Sequence, residues 1–269
     1  MTTAYLTRLD RLVAERGPLC VGIDPHPGLL DQWGLEHTAS GLERFARGVV
    51  EALGTRVAAF KPQSAFFEVY GSAGIVVLEA VLADIRDAGA LSVLDAKRGD
   101  IGSPMAGYAE AYRSDGSSLR ADAVTLSPFL GYESLRPALD LAAATGRGVY
   151  VLARTSNPEG HEVQLARPRE GGETVSQTII DSAQADNDSG SGHVGLVVGG
   201  THADLGIDLG RFTGSILVPG IGAQGGTISG VRETFPASAK LLPTASRDVL
   251  RAGPDGAGMV DAVARILAG

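Results

Sequence analysis

The sequence predicts an α/β protein of the (β/α)8 TIM-barrel class, one barrel domain over residues 1–269. Three observations carry that expectation. Short apolar runs alternate with amphipathic helical stretches along the whole chain, eight strands in all. Hydrophobic content is 44% with only 5% aromatic, dominated by Val, Ile, Leu and Ala, which suits parallel strands covered by helices. The apolar runs also end, one after another, in charged or polar residues, and barrels collect their chemistry at strand carboxyl ends. A doubly wound open sheet is the competing arrangement of the same alternation.

Taken in order, Tyr5 to Glu15 places Leu6, Leu9, Leu12 and Val13 on one helical face, a helix suited to covering the floor of a core. Leu19 to Ile23 reads as a strand stopped by Asp24-Pro25-His26-Pro27. A helix over Thr38 to Leu53 precedes a strand at Val57 to Phe60 that exits into Lys61-Pro62-Gln63. After a helix at Ala73 to Ala88, the strand beginning at Leu91 runs to Ala96, and Ser103-Pro104 reads as an N-cap followed by proline at the first helical position. Ala123 to Leu126 is a strand leaving at Ser127-Pro128, followed by a helix near Tyr132 to Ala144 and a strand at Gly148 to Leu152 that exits at Arg154. Pro158 to Gly172 and Asp186 to Gly192 read as polar loops on either side of a helix at Thr174 to Ala185. Val194 to Val198, Ser215 to Val218 and a short run centred on Leu241-Leu242 complete the strands. Val260 to Leu267 is the last helix.

Bulk properties narrow the function classes. A net charge of −8 argues against nucleic acid or an anionic membrane as partner, since both select a basic face. No apolar run approaches bilayer-spanning length, and Met1 to Gly17 carries charge throughout with no signal-peptide core, so a cytoplasmic protein is expected. The single Cys20 lies inside an apolar run and reads as a buried, inert thiol. Five scattered histidines with no metal-binding spacing give a metal little support.

The charges that remain are concentrated. Leu91 to Ile101 ends in Asp95, Lys97, Arg98 and Asp100, four charged residues in six positions. The two-residue side-chain period of a strand puts Asp95 and Lys97 on one face, with Ala96 turned away. By itself the stretch fits a solvated charge cluster as well as an active site. Its neighbours favour chemistry, because Asp24, Lys61, Ser127, Gln224 and Arg247 also fall at or beyond strand exits. Lys61, Asp95, Lys97 and Asp100 alternate in sign and are expected to close into one ionic network that keeps Lys97 charged. Gly220 to Gly226 contains a G-x-G-x-x-G match after the seventh strand, the phosphate position of barrels, with Gly222 at its second glycine and Arg247 following the eighth strand.

Asp95-Ala96-Lys97-Arg98-Gly99-Asp100-Ile101-Gly102-Ser103 resembles the D-x-K-x-x-D-I motif of the orotidine 5′-phosphate decarboxylase family. The resemblance extends through Val21 to Pro25, Phe60 to Gln63, Arg154 to Pro158, Pro219 to Gly226 and Ser246-Arg247 in the family's order, over nearly the whole chain, in the manner of the longer bacterial branch. It implies decarboxylation of orotidine 5′-phosphate to UMP, the last step of de novo pyrimidine synthesis, without a metal or organic cofactor. It further implies Lys97 as proton donor to C6 of the pyrimidine, Asp95 beside the departing carboxylate, and Lys61 bridging Asp95 to the ribose. By the same likeness Asp24 binds a ribose hydroxyl, Ser127 the pyrimidine edge, and Gln224 and Arg247 the phosphate as the glycine loop closes. Asp100 is then expected to enter the site of a second subunit in a homodimer with shared sites. One position departs from the pattern. Where the family usually carries threonine after D-I-G-S, this chain has Pro104, which offers neither hydroxyl nor N–H. Two other readings stand beside this one: a nucleotide-phosphate binding protein impaired through Pro104, and a metal-dependent sugar-phosphate decarboxylase or aldolase on a related barrel.

Overall fold

The computed structural model describes residues 3–169, 171–190, 192–202, 204–222 and 225–269. Eight strands pair in parallel and in sequence order, and the last pairs with the first, so the sheet closes into a barrel. They are β1 (Cys20–Ile23), β2 (Ala59–Pro62), β3 (Leu91–Arg98), β4 (Ala123–Leu126), β5 (Gly148–Arg154), β6 (Val194–Val198), β7 (Ser215–Ile221) and β8 (Lys240–Ala245). The doubly wound alternative is thereby excluded.

Two packed layers follow from strand alternation. Cys20, Ala59, Leu91, Val93, Ala123, Tyr150, Val197, Leu217 and Leu242 point into the barrel. Their neighbours, among them Val21, Phe60, Leu94, Val124 and Val149, pack outward against the helices. The floor is closed by the helix Tyr5–Arg16, whose Tyr5, Leu9 and Leu12 join the interior cluster. Tyr5 and Tyr150 share a 3.0 Å hydrogen bond with rings edge to face, and the Tyr150 hydroxyl donates to Ser215 Oγ at 3.0 Å. Gly148 is required here, since a Cβ would lie 2.3 Å from the Tyr5 ring. Cys20 sits in the same layer, where burial pushes its thiol pKa up to about 12.

Several boundaries differ from expectation, each for a local reason. The helix expected to start at Ser103 spans Gly102–Arg113, with Ile101 as N-cap and no side-chain cap. Pro104 is therefore its third residue, tolerated because the first turn's amides have no intrahelical partner. Short helices at Pro27–Gln32, Ser64–Glu68, Ile228–Thr234 and Arg247–Leu250 occupy stretches without enough periodic apolar residues to signal them. The segment Pro158 to Gly172 is not purely loop: it contains a 3-10 turn at Pro158–Gly160 and a one-turn helix at His161–Gln164. The helix Val175–Asp188, capped by the Thr174 hydroxyl on Gln177 N–H, consumes the start of the second expected loop. Among the described residues no helix is long and apolar enough to cross a membrane.

Leu12 is 1% exposed in the floor, so truncation leaves a cavity that the closed barrel has little room to fill. Leu12→Ala is expected to lower unfolding free energy by about 2–5 kcal/mol in urea titration. A loss below about 1 kcal/mol would show that the helix does not seal the barrel.

Candidate active site

The alternation that builds the interior layer continues past it to the mouth. On β1 the inward series Cys20, Gly22 leads to Asp24; on β2, Ala59 leads to Lys61 and Gln63. On β3, Val93 leads to Asp95, and on β4, Ala123 leads to Thr125 and Ser127. These side chains, with Lys97 and Arg247, line a cavity of about 980 Å³ at the carboxyl ends of the strands. That volume suits a small-molecule ligand of nucleotide size.

Asp95 is the hub. Its Oδ2 accepts from Lys61 Nζ at 2.9 Å, and its Oδ1 accepts from Lys97 Nζ at 2.5 Å and Thr125 Oγ1 at 2.8 Å. Lys61 and Asp95 are 5% and 7% exposed, so both charges would be costly unpaired. Burial opposes the ionised form of Asp95, but Lys61 and Lys97 outweigh it and hold the carboxyl well below the usual carboxylate range. Burial likewise opposes the charge of Lys61, and Asp95 and Asp24 together raise its pKa above the ordinary lysine range. Lys61 also donates to Gln63 Oε1 at 3.2 Å, and Gln63 Nε2 reaches the Asp95 carbonyl at 3.4 Å.

Lys97 does not reach Asp95 through a regular pleat. β3 runs two residues further than expected and is bulged: Leu94 pairs with Val124, but the next pair is Arg98 with Leu126. Lys97 has φ of 47°, the left-handed region that favours glycine, and is the one non-glycine with positive φ among the described residues. Its N–H donates to Thr125 Oγ1 at 2.9 Å. Immediately beyond, Gly99 is required because a Cβ would come 2.2 Å from the Ser127 carbonyl oxygen.

Asp24 completes the charged arc. Its Oδ2 accepts from Ser246 Oγ at 2.5 Å, while its Oδ1 lies 3.9 Å from Lys61 Nζ and is buried with no hydrogen-bond donor. An unsatisfied buried acceptor facing a cavity is suited to a ligand hydroxyl. Arg247 is exposed at the rim, and its guanidinium makes no hydrogen bond or ion pair among the described residues. The glycine loop is less open than expected. Gly222 N–H donates to Gly226 O at 2.8 Å, Gly225 N–H to Gly222 O at 2.6 Å and Gly226 N–H to Gly220 O at 3.1 Å, so these amides are occupied by the loop's own turn. Gly222 has φ of 78°, and a Cβ there would strike the Asp248 carboxylate. Gln224 lies outside the described residues.

The expected four-charge network is thus three charges plus Asp24. Asp100 stands apart: its Oδ1 accepts from the Ile101 N–H at 2.8 Å, and it joins no ion pair among the described residues. It is not among the residues that line the cavity with Asp95. Arg154 is buried behind the cavity wall, its Nη1 3.3 Å from Gln164 Oε1. Gln63, Thr125 and Ser246 were not among the expected site residues. A signal for Thr125 exists: it is the polar residue of Ala-Val-Thr-Leu, two positions before Ser127 and so on the same strand face.

A family model described as "Orotidine 5'-phosphate decarboxylase / HUMPS family" matches residues 17–260. The orotidine 5'-phosphate decarboxylase of Salinispora arenicola (strain CNS-205) is 56% identical over 268 residues, covering 98% of this chain and 96% of that protein. The Streptomyces coelicolor protein of the same name is 54% identical over 252 residues, covering 92% and 90%. Among solved structures, a candidate orotidine 5'-phosphate decarboxylase from Streptomyces avermitilis superposes with a TM-score of 0.94 at 51% identity, covering 99% of this chain and 94% of that one. Leishmania donovani UMP synthase matches with a TM-score of 0.80 at 32% identity, covering 99% of this chain and 56% of that one.

The linkage of Asp95 has a definite sign. A carboxyl held below its unfolded value stabilises the fold above about pH 3.9, and that contribution fades as pH falls toward the folded value. The raised Lys61 contributes below about pH 10.4 and loses its contribution only as pH rises through its folded value. Asp95→Asn is therefore expected to destabilise by about 3–5 kcal/mol near neutral pH, because it strands Lys61, and the gap to the unsubstituted protein should narrow below about pH 4. Urea unfolding across this range checks it; a gap that stays constant contradicts the ionised, paired state of Asp95.

Proposed function

The chain belongs to the orotidine 5'-phosphate decarboxylase / HUMPS family, and from that premise we propose how its barrel mouth converts orotidine 5′-phosphate to UMP and CO2. The observation that carries the reading is the buried Asp95 carboxylate gripped by Lys61 and Lys97 at the edge of the cavity. The polar groups form an arc whose order matches a nucleotide. Arg247 after β8 is suited to a phosphate dianion, Asp24 and Lys61 at β1 and β2 to ribose hydroxyls, and Asp95, Lys97 and Ser127 at β3 and β4 to the base.

In the chemical step the bond between C6 and the carboxylate carbon breaks, CO2 departs, and the electron pair stays on C6 in an sp2 orbital outside the ring π system. A charge so localised is stabilised by a nearby fixed cation. The Lys97 ammonium fills that role and then transfers a proton to C6, giving UMP and a neutral amine that regains its proton from solvent. Asp95 holds the ammonium aimed until the transfer. Enzymes lower barriers by roughly 8–23 kcal/mol, whereas one preorganised donor contributes about 3–4. Phosphate and ribose contacts remote from C6 are suited to supply the remainder by driving the substrate into place. On this reading no metal or organic cofactor takes part, and the protein works in the cytoplasm.

Asp100 is the residue we assign to a second subunit's site in a homodimer, since it neither lines its own chain's cavity nor joins an ion pair among the described residues and is part-exposed.

Following CO2 release from orotidine 5′-phosphate tests the activity, and Lys97→Ala is expected to reduce turnover by at least about 10³-fold while changing UMP affinity by less than about tenfold. Equal losses of both would indicate a structural role, and loss of activity on EDTA treatment would contradict a cofactor-free step. Shared sites predict that inactive Lys97→Ala and Asp100→Ala chains, mixed and allowed to exchange subunits, regain about one quarter of the activity, because half the dimers are hybrids with one intact site. No recovery on subunit exchange overturns the shared-site assignment.

A further inference from the structure

The bulge in β3 poses a problem that one side chain of the neighbouring strand resolves. Between the pairs Leu94 with Val124 and Arg98 with Leu126, β3 advances four residues while β4 advances two. The ladder is therefore interrupted across Asp95, Ala96 and Lys97, the stretch that carries two of the charges. Within that gap Lys97 adopts φ of 47°, a conformation that costs a non-glycine residue of order 1 kcal/mol and persists only when its surroundings enforce it. The Lys97 N–H faces Thr125 Oγ1 at 2.9 Å, where an unbroken ladder would supply a backbone carbonyl. The same hydroxyl donates to Asp95 Oδ1 at 2.8 Å, the oxygen that also receives Lys97 Nζ.

We propose that Thr125 is a positioning residue of the decarboxylation, acting through Lys97: its single hydroxyl fixes both ends of the lysine, the amide at the bulge and the carboxylate that aims the ammonium. The inference rests on the reading of Lys97 as proton donor. A hydroxyl that accepts from one residue and donates to the other uses its proton and one lone pair, so it cannot slide toward either without losing a bond. Thr125 is 1% exposed at the base of the cavity wall, and its hydroxyl is engaged by these two bonds. The need for restraint is physical. A lysine carries four side-chain torsions, and its ammonium sits at a half-exposed mouth with 46% of the side chain accessible. Without the bulge anchor, both the backbone origin of that chain and its carboxylate target gain freedom, and small misplacements of a catalytic group are costly.

Thr125→Val keeps the shape and removes the hydroxyl; Thr125→Ser keeps the hydroxyl and removes a methyl. Thr125→Val is expected to lower kcat on the order of 10–100-fold with KM and UMP affinity within about twofold, and Thr125→Ser to return kcat to within about threefold. Amide hydrogen exchange of Lys97, read by NMR on the intact protein, is expected to speed up in Thr125→Val but not in Thr125→Ser. A kcat for Thr125→Val within about twofold of the unsubstituted enzyme overturns the proposal, as does a Thr125→Ser variant as slow as Thr125→Val, or unchanged Lys97 protection in Thr125→Val. Should the unsubstituted protein release no CO2, the functional reading fails, and the exchange measurement still decides whether Thr125 holds Lys97.

Discussion

The ion pair of Asp95 with Lys61 constrains everything above the barrel floor. Two charges this buried are tolerable only as a pair; the bridge of Gln63 with Asp95 sets the carboxylate two residues beyond Lys61 along the sheet, a step that the long lysine side chain spans to its 2.9 Å contact. Lys97 then joins the exposed side of the same carboxylate, and Asp24 approaches Lys61 from β1. The result is a graded arrangement. Lys61 is sealed beside Asp95 as its counter-charge, whereas Lys97 is open to the cavity, where the proposed reading puts proton transfer. Exposure divides the labour between two lysines that composition cannot tell apart.

Much of this was legible in the residues, and the part that was not has a common cause. Strand exits are marked by the change from apolar to charged residues, so Asp24, Lys61, Asp95, Lys97, Ser127 and Arg247 could be assigned to one mouth once a barrel was inferred. Period-two alternation also says correctly that Asp95 and Lys97 meet. It cannot say how, because a bulge is set by cross-strand register, and register depends on a partner strand some thirty residues away. Thr125 and Gln63 were missed for the same reason. Their importance lies in hydrogen bonds to residues on a neighbouring strand; strand alternation gives the face Thr125 occupies but not those partners. The network differs in the opposite sense at Asp100: sign alternation suggests a closed network, but beyond Gly99 the Asp100 carboxylate accepts from the Ile101 N–H and joins no ion pair among the described residues.

The glycine loop shows how a motif can be well placed and still work differently from its usual description. Three of its described amides are satisfied within the loop, so they are not open donors waiting for an anion. The loop's glycines instead serve conformation: Gly220 and Gly222 have positive φ, and Gly222 also makes room for Asp248 at the start of the helix Arg247–Leu250. On the proposed reading, phosphate recognition among the described residues falls to Arg247, which is exposed at the cavity rim. This division suits a reaction whose binding contacts and chemistry lie at opposite ends of one ligand. A preformed turn costs little ordering entropy when the substrate arrives, leaving more of the phosphate interaction free to press the ring toward Lys97. The barrel thereby separates the paired charges of β2 and β3 from the loop ends of β7 and β8, and on the proposed reading the substrate is the link between them.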